Sequence, residues 1–201
     1  MKRNFVLLAA ITFLFSCKNR DDSAETTRDT TELYRDTTRV ATPDTAARPL
    51  VSMATATLTN TYPDTAVSGQ ARFTMDTASG KVTMKLEVTV PSKASKSVAV
   101  HIHEHGQCGS EGQMAHGHWN PTAAQHGKWG EGSFHSGDIG NLQLDSKGRG
   151  TLTLTTDLWS LGGRAGKNIL GKSVIVHGSS DDYKTQPSGN AGTRIGCGVI
   201  Q

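Results

Sequence analysis

The chain has 201 residues, which suits one ordinary domain with extensions and not two full domains. Its formal net charge is only +3 with no basic cluster, which gives no case for a nucleic-acid partner. Glycine is plentiful at 22 while aromatics make up 5%, a balance that favours strands joined by turns.

In chain order, Lys2 and Arg3 precede an apolar stretch over 5–15 that is too short to span a bilayer and reads as the core of an export signal. It ends in Leu14-Phe15-Ser16-Cys17, the form of a bacterial lipobox, whose cysteine is acylated after cleavage. Residues 1–17 are therefore predicted to be a lipoprotein signal peptide, with lipid on Cys17 tethering an exported protein to a membrane. That implies an envelope location, at the periplasmic face or cell surface of a bacterium. An ordinary cleaved signal with an incidental cysteine is the competing reading. Residues 18–50 are dominated by Thr, Asp and Arg and carry almost no periodic apolar residues, so a flexible tether is predicted there.

From about Ser52 the apolar pattern has period two, and 51–201 is predicted to be the folded domain. Val82, Met84, Leu86, Val88 and Val90 alternate with Thr, Lys and Glu; 67–75 alternates likewise. The turn cluster 76–80 between them predicts a hairpin. Further strands are predicted near 54–60, 97–103, 141–144, 150–155, 173–177 and 194–200. Many short strands and no long helical pattern point to an antiparallel sandwich or barrel. Two long Gly- and His-bearing stretches, 104–137 and 178–193, break the rhythm as functional loops do.

Three cysteines are present. If Cys17 carries lipid, Cys108 and Cys197 are left to pair in an oxidising compartment. Such a bridge closes a loop of about 90 residues, stabilising by roughly 4 to 5 kcal/mol at most.

All eight histidines fall between His101 and His177. In Val98-Ala99-Val100-His101-Ile102-His103, strand geometry sends Val98, Val100 and Ile102 to one face and both imidazoles to the other, where they can share one transition metal. Two exposed histidines are the plain alternative for His-x-His alone. His118, His126, His135 and Asp138 follow in one loop, and His177 ends a strand. Imidazole suits copper and zinc, and a carboxylate beside histidines suits tetrahedral zinc.

The pattern His101-Ile102-His103-Glu104, Cys108, Gly117-His118-Trp119-Asn120-Pro121, His126-Gly127, His135-Ser136-Gly137-Asp138, Val176-His177 and Gly189-Asn190-Ala191-Gly192-Thr193-Arg194-Ile195-Gly196-Cys197 resembles the copper/zinc superoxide dismutase family over 53–201. The resemblance implies an all-β, eight-stranded, immunoglobulin-like Greek-key barrel with long metal-binding loops. It implies copper on His101, His103, His118 and His177, and zinc on His118, His126, His135 and Asp138, with His118 bridging. Asp181 matches a residue that hydrogen-bonds ligands of both metals. Arg194 matches one that sits over the copper and guides a small anion. The implied reaction turns two superoxide anions into dioxygen and hydrogen peroxide by alternating Cu(II) and Cu(I), protecting the cell envelope. Exported members dimerise in different ways, so monomer and homodimer both stay open. A copper-buffering module without turnover is the alternative; it needs neither Arg194 nor the zinc set. His105 and His116 lie near ligands but match no ligand position; they are expected to face solvent, with help in recruiting metal as the alternative reading. The segment 178–190 is shorter than the electrostatic loop of cytosolic eukaryotic members, leaving Lys184 only a candidate for steering. Trp119, Trp129 and Trp159 are expected to pack.

Overall fold

A computed structural model describes residues 48–201; the export signal, Cys17 and the tether up to residue 47 lie outside the described residues. The alternating patterns do fold as strands. They are β1 (Met53–Asn60), β2 (Ser68–Met75), β3 (Val82–Thr89), β4 (Ser97–His103), β5 (Gly140–Gln143), β6 (Arg149–Thr156), β7 (Ser173–His177) and β8 (Arg194–Val199). All eight expected strands are present, with ends shifted by about a residue.

The strands join antiparallel in the order β5-β4-β7-β8-β1-β2-β3-β6. Strands β1, β2 and β3 form consecutive hairpins, whereas β3 connects across to β4 and β6 across to β7, which gives the Greek-key path. The end strands β5 and β6 are consecutive in sequence and joined by a tight turn, with Asp145 N–H donating to Arg149 O at 2.8 Å. A Cβ on Gly150 would lie 2.8 Å from Leu144 and 2.9 Å from Leu142. Glycine there lets the two ends approach until the sheet nearly closes into a barrel.

Inside, the register stacks Phe73 opposite Met84 and Met84 opposite Leu154. Phe73 also meets Trp159 edge-to-face at 6.1 Å between ring centroids. The Trp159 indole N–H reaches the Ser136 carbonyl at 2.8 Å, so its polar end is satisfied while tying the 104–137 loop to the core. Packing is the role expected for this residue.

Strand β4 departs from the half-buried pattern: every residue from Val98 to His103 is buried. Val98, Val100 and Ile102 pack in the core. The histidine face is covered by the long loop, whose Gly137 O accepts from Ile102 N–H and whose Trp119 N–H donates to Ile102 O, each at 2.8 Å. A Cβ at Gly137 would come within 2.2 Å of Ile102 O, so only glycine allows that approach. A strand in the middle of the sheet thus carries two imidazoles into a sealed space.

Cys108 and Cys197 are disulfide-bonded, with Cα atoms 5.7 Å apart and 89 positions apart in sequence. The bond fastens the start of the long loop to β8. Replacing both cysteines by serine should lower unfolding free energy by about 4 kcal/mol, read as an earlier urea midpoint with a steeper slope, because the uncrosslinked unfolded chain exposes more surface. An unshifted midpoint would show that the loop is held by other contacts.

Candidate metal centre

Strand β4 supplies His101 and His103, β7 supplies His177, and the long connection from β4 to β5 supplies His118, His126, His135 and Asp138; all seven are buried. Their ligand atoms gather into two groups, each within 4.8 Å: His101, His103, His118 and His177, and His118, His126, His135 and Asp138. His118 belongs to both. It is brought there because the loop returns antiparallel beside the end of β4, pairing His103 with His118.

Hydrogen bonds fix which nitrogen of each ring faces inward. His103 donates from Nδ1 to His116 O at 2.8 Å, and His177 from Nδ1 to Gly192 O at 3.3 Å. Both rings therefore present Nε2, and these two atoms face each other at 3.3 Å. His101 donates from Nε2 to Asp181 Oδ2 at 2.9 Å, which turns its Nδ1 inward. His126 donates from Nε2 to Asp181 Oδ1 at 2.9 Å. One carboxylate thus orients a ring in each group.

In the second group Asp138 Oδ1 lies 2.7 Å from His118 Nδ1 and 3.1 Å from His135 Nδ1. His126 Nδ1 is 3.0 Å from Asp138 Oδ2, yet without the direction of a hydrogen bond. Backbone N–H groups of Gly127 and His135 hold Asp138 Oδ2 at 3.1 and 2.8 Å.

A cation fits this arrangement on its own chemistry. His101 Nδ1, His118 Nε2 and His126 Nδ1 are buried without a hydrogen-bond partner among the described residues. Unpaired buried nitrogens are costly unless they ligate something. Two facing Nε2 lone pairs in the first group, and three Nδ1 atoms around one carboxylate in the second, call for a positive centre in each.

Protonation points the same way in the first group. Burial drives His103 and His177 well below the usual histidine range, reinforced by neighbouring imidazoles. Burial likewise depresses His101, outweighing Asp181, and takes His118 down to about 4. These rings are neutral ligands at neutral pH. In the second group burial alone would raise Asp138, but the close imidazoles of His118, His126 and His135 and the His135 backbone N–H outweigh it and hold the carboxyl far below its usual range. Burial pulls His126 down, yet Asp138 and Asp181 together lift it to about 9. A metal binding at its Nδ1 must therefore displace a proton.

The remaining expected residues are also close. Arg194 pairs with His177 across β7 and β8, beside a register shift at Val176/His177 that re-aims both side chains. It is half-buried and lines a cleft of about 440 Å³ together with His103, His118, His177 and Gln113. Its guanidinium donates to Gly112 O at 2.7 Å, and Thr61 Oγ1 donates to its carbonyl. Lys184 lies elsewhere, in a surface depression with Lys128 and Asp182. His105 and His116 face solvent, as expected.

Three supports were not legible in the sequence. Asn141 grips the Asp181 backbone at both ends, accepting from its N–H at 2.7 Å and donating to its carbonyl at 2.8 Å. Gln186 does the same to the His126 backbone, both bonds at 2.9 Å. Gly189 packs so tightly that a Cβ would sit 1.7 Å from Asp181 Oδ1. The Gly-Asn-Ala-Gly run and a polar residue amid a functional loop were the available signals.

The chain is similar in sequence and fold to known proteins. The family model for copper/zinc superoxide dismutase matches residues 67–200. The chain is 38% identical over 126 residues to superoxide dismutase (Cu-Zn) 1 of Aquifex aeolicus, covering 60% of this chain and 73% of that protein. It is 33% identical over 143 residues to the Cu-Zn superoxide dismutase of Podospora anserina, covering 68% of this chain and 91% of that one. Among solved structures, a clock protein, EA4, superposes with TM-score 0.65 at 32% identity, covering 77% of this chain and 97% of its own. A double mutant of a SOD-like protein from Bacillus subtilis does so with TM-score 0.64 at 30% identity, covering 74% of this chain and 98% of its own. With two thirds of its length matched by the family and its histidines gathered about one shared ring, this chain belongs to the copper/zinc superoxide dismutase family.

Proposed function

We propose that the buried histidine centre is the active site of a superoxide dismutase, with copper held by His101, His103, His118 and His177 and zinc by His118, His126, His135 and Asp138. The observation that carries this reading is the His118 ring, whose Nδ1 sits in one group while its buried Nε2 points into the other. Bound copper supplies a one-electron couple, while zinc supplies fixed charge.

The chain's own residues do the rest. Arg194 offers a fixed, always-charged fork at the rim of the cleft, which attracts superoxide and orients it towards the inner histidines. His118 Nε2 is the atom placed to carry a proton to the departing peroxide, because Nδ1 stays engaged beside Asp138. Asp181 keeps the His101 and His126 rings in the required orientation. The net reaction takes two superoxide anions and two protons to dioxygen and hydrogen peroxide. A copper buffer would need neither an arginine at the cleft nor the second ligand group, and both are present.

The sequence before residue 18 extends the reading to location. Lys2, Arg3, the apolar 5–15 and Leu14-Phe15-Ser16-Cys17 support export and a lipid anchor on Cys17, which makes the enzyme a protector of the cell envelope.

Arg194→Ala should lower kcat/KM about tenfold or more and flatten its dependence on ionic strength, at unchanged copper content. Full activity in that variant would remove Arg194 from the account. Metal analysis distinguishes the ligand sets: His118→Ala should deplete both metals, whereas His135→Ala should deplete zinc first. Zinc unaffected by either change would refute the assignment. Gln186→Ala should weaken zinc retention against a chelator by about tenfold while copper is held as before; equal loss of both metals would mean that the loop merely unfolds.

A further inference from the structure

Six of the eight histidines lie in the two buried groups; His105 and His116 remain. They are not scattered. His103 and His118 are paired across an antiparallel bridge, and Glu104 N–H donates to Gly117 O at 3.0 Å beyond it. Side chains two residues apart on such a ribbon share a face, so the next same-face pair outward is His105 with His116. Their rings are 4.3 Å apart and inclined at 59°, compared with 5.0 Å for the inner pair. The inner pair is buried and the outer pair is exposed. The ribbon therefore carries two rungs of histidine, one inside the centre and one in solvent, separated by roughly 7 Å of strand.

The outer rung is held in place. His116 adopts φ 61° and ψ −148°, a conformation that glycine takes readily and other residues seldom do. Its N–H bonds to Gln113 O and its carbonyl accepts from His103 Nδ1, while His105 N–H bonds to Ala115 O. The bond from His103 couples the backbone of the outer rung directly to a ring of the inner one.

Two imidazoles with the remaining positions open to water form a borderline-soft nitrogen site, and among divalent first-row ions Cu²⁺ binds such donors most tightly. We propose that His105 and His116 form a surface copper site from which the ion passes to the buried group. The proposal rests on the assignment of His103 and His118 to copper.

The test uses the full chain carrying one copper and one zinc, titrated with Cu(II) alone and followed by calorimetry and electron paramagnetic resonance. One further equivalent should bind, with hyperfine structure from imidazole nitrogen, and should disappear in both His105→Ala and His116→Gly. The glycine variant suits the local backbone, so its loss of binding is not a folding defect. Zinc-loaded, copper-free protein should then refill with Cu(II) several-fold more slowly in either variant, to the same final content. Absence of a third equivalent, or one that survives both substitutions, overturns the site. A refilling rate indifferent to both substitutions overturns its delivery role. Failure of the buried assignment is seen separately, as failure to bind the first two equivalents.

Discussion

The structure is organised around burying nitrogen lone pairs that no protein group satisfies. His118 Nε2, His101 Nδ1 and His126 Nδ1 lie out of water without hydrogen-bond partners among the described residues, and the Asp138 carboxylate is sunk among the Nδ1 atoms of His118, His126 and His135. In a sealed interior such groups destabilise the fold unless cations complete them. Metal binding and folding of the 104–137 loop are thereby linked. The ions complete a polar centre that the barrel could not otherwise enclose.

The barrel makes that centre possible by rigidity and close approach. Strand β4, buried on both faces, fixes His101 and His103 relative to His177 on its neighbour β7. Gly137 lets the loop backbone lie against Ile102, and Gly189 lets the second loop close over Asp181. The disulfide and the Arg194 guanidinium hold the 108–113 stretch from two sides, leaving one open wall where an anion can enter. The cation lining that wall is Arg194, whereas Lys184 belongs to a different surface depression.

Much of this was legible in the amino-acid order. Alternation at Val82, Met84, Leu86 and Val88 marked a strand because one face meets the core. The histidine positions marked ligands because strand geometry and loop return leave few other uses for so many imidazoles. The limit of legibility was burial from above. Nothing in Ser97–His103 says that a distant loop will cover its polar face, since the cover depends on Gly137 lying against Ile102 and on the backbone bond from Trp119. Side chains that act on backbone, such as Asn141 and Gln186, were equally hidden, because an amide in a loop has no period and no partner in sequence. His105 and His116 stood out in the sequence as spare histidines near ligands, but their pairing as a rung exists only once the register pairs His103 with His118.

The claim on which all of this depends is that one imidazole lies between two different ions. Crystals of the metal-loaded protein, measured at the copper and zinc absorption edges, test it most directly. One copper peak at His118 Nε2 and one zinc peak at Nδ1 of the same ring are expected. Peaks that share no ring, or a single peak in fully active protein, would contradict it.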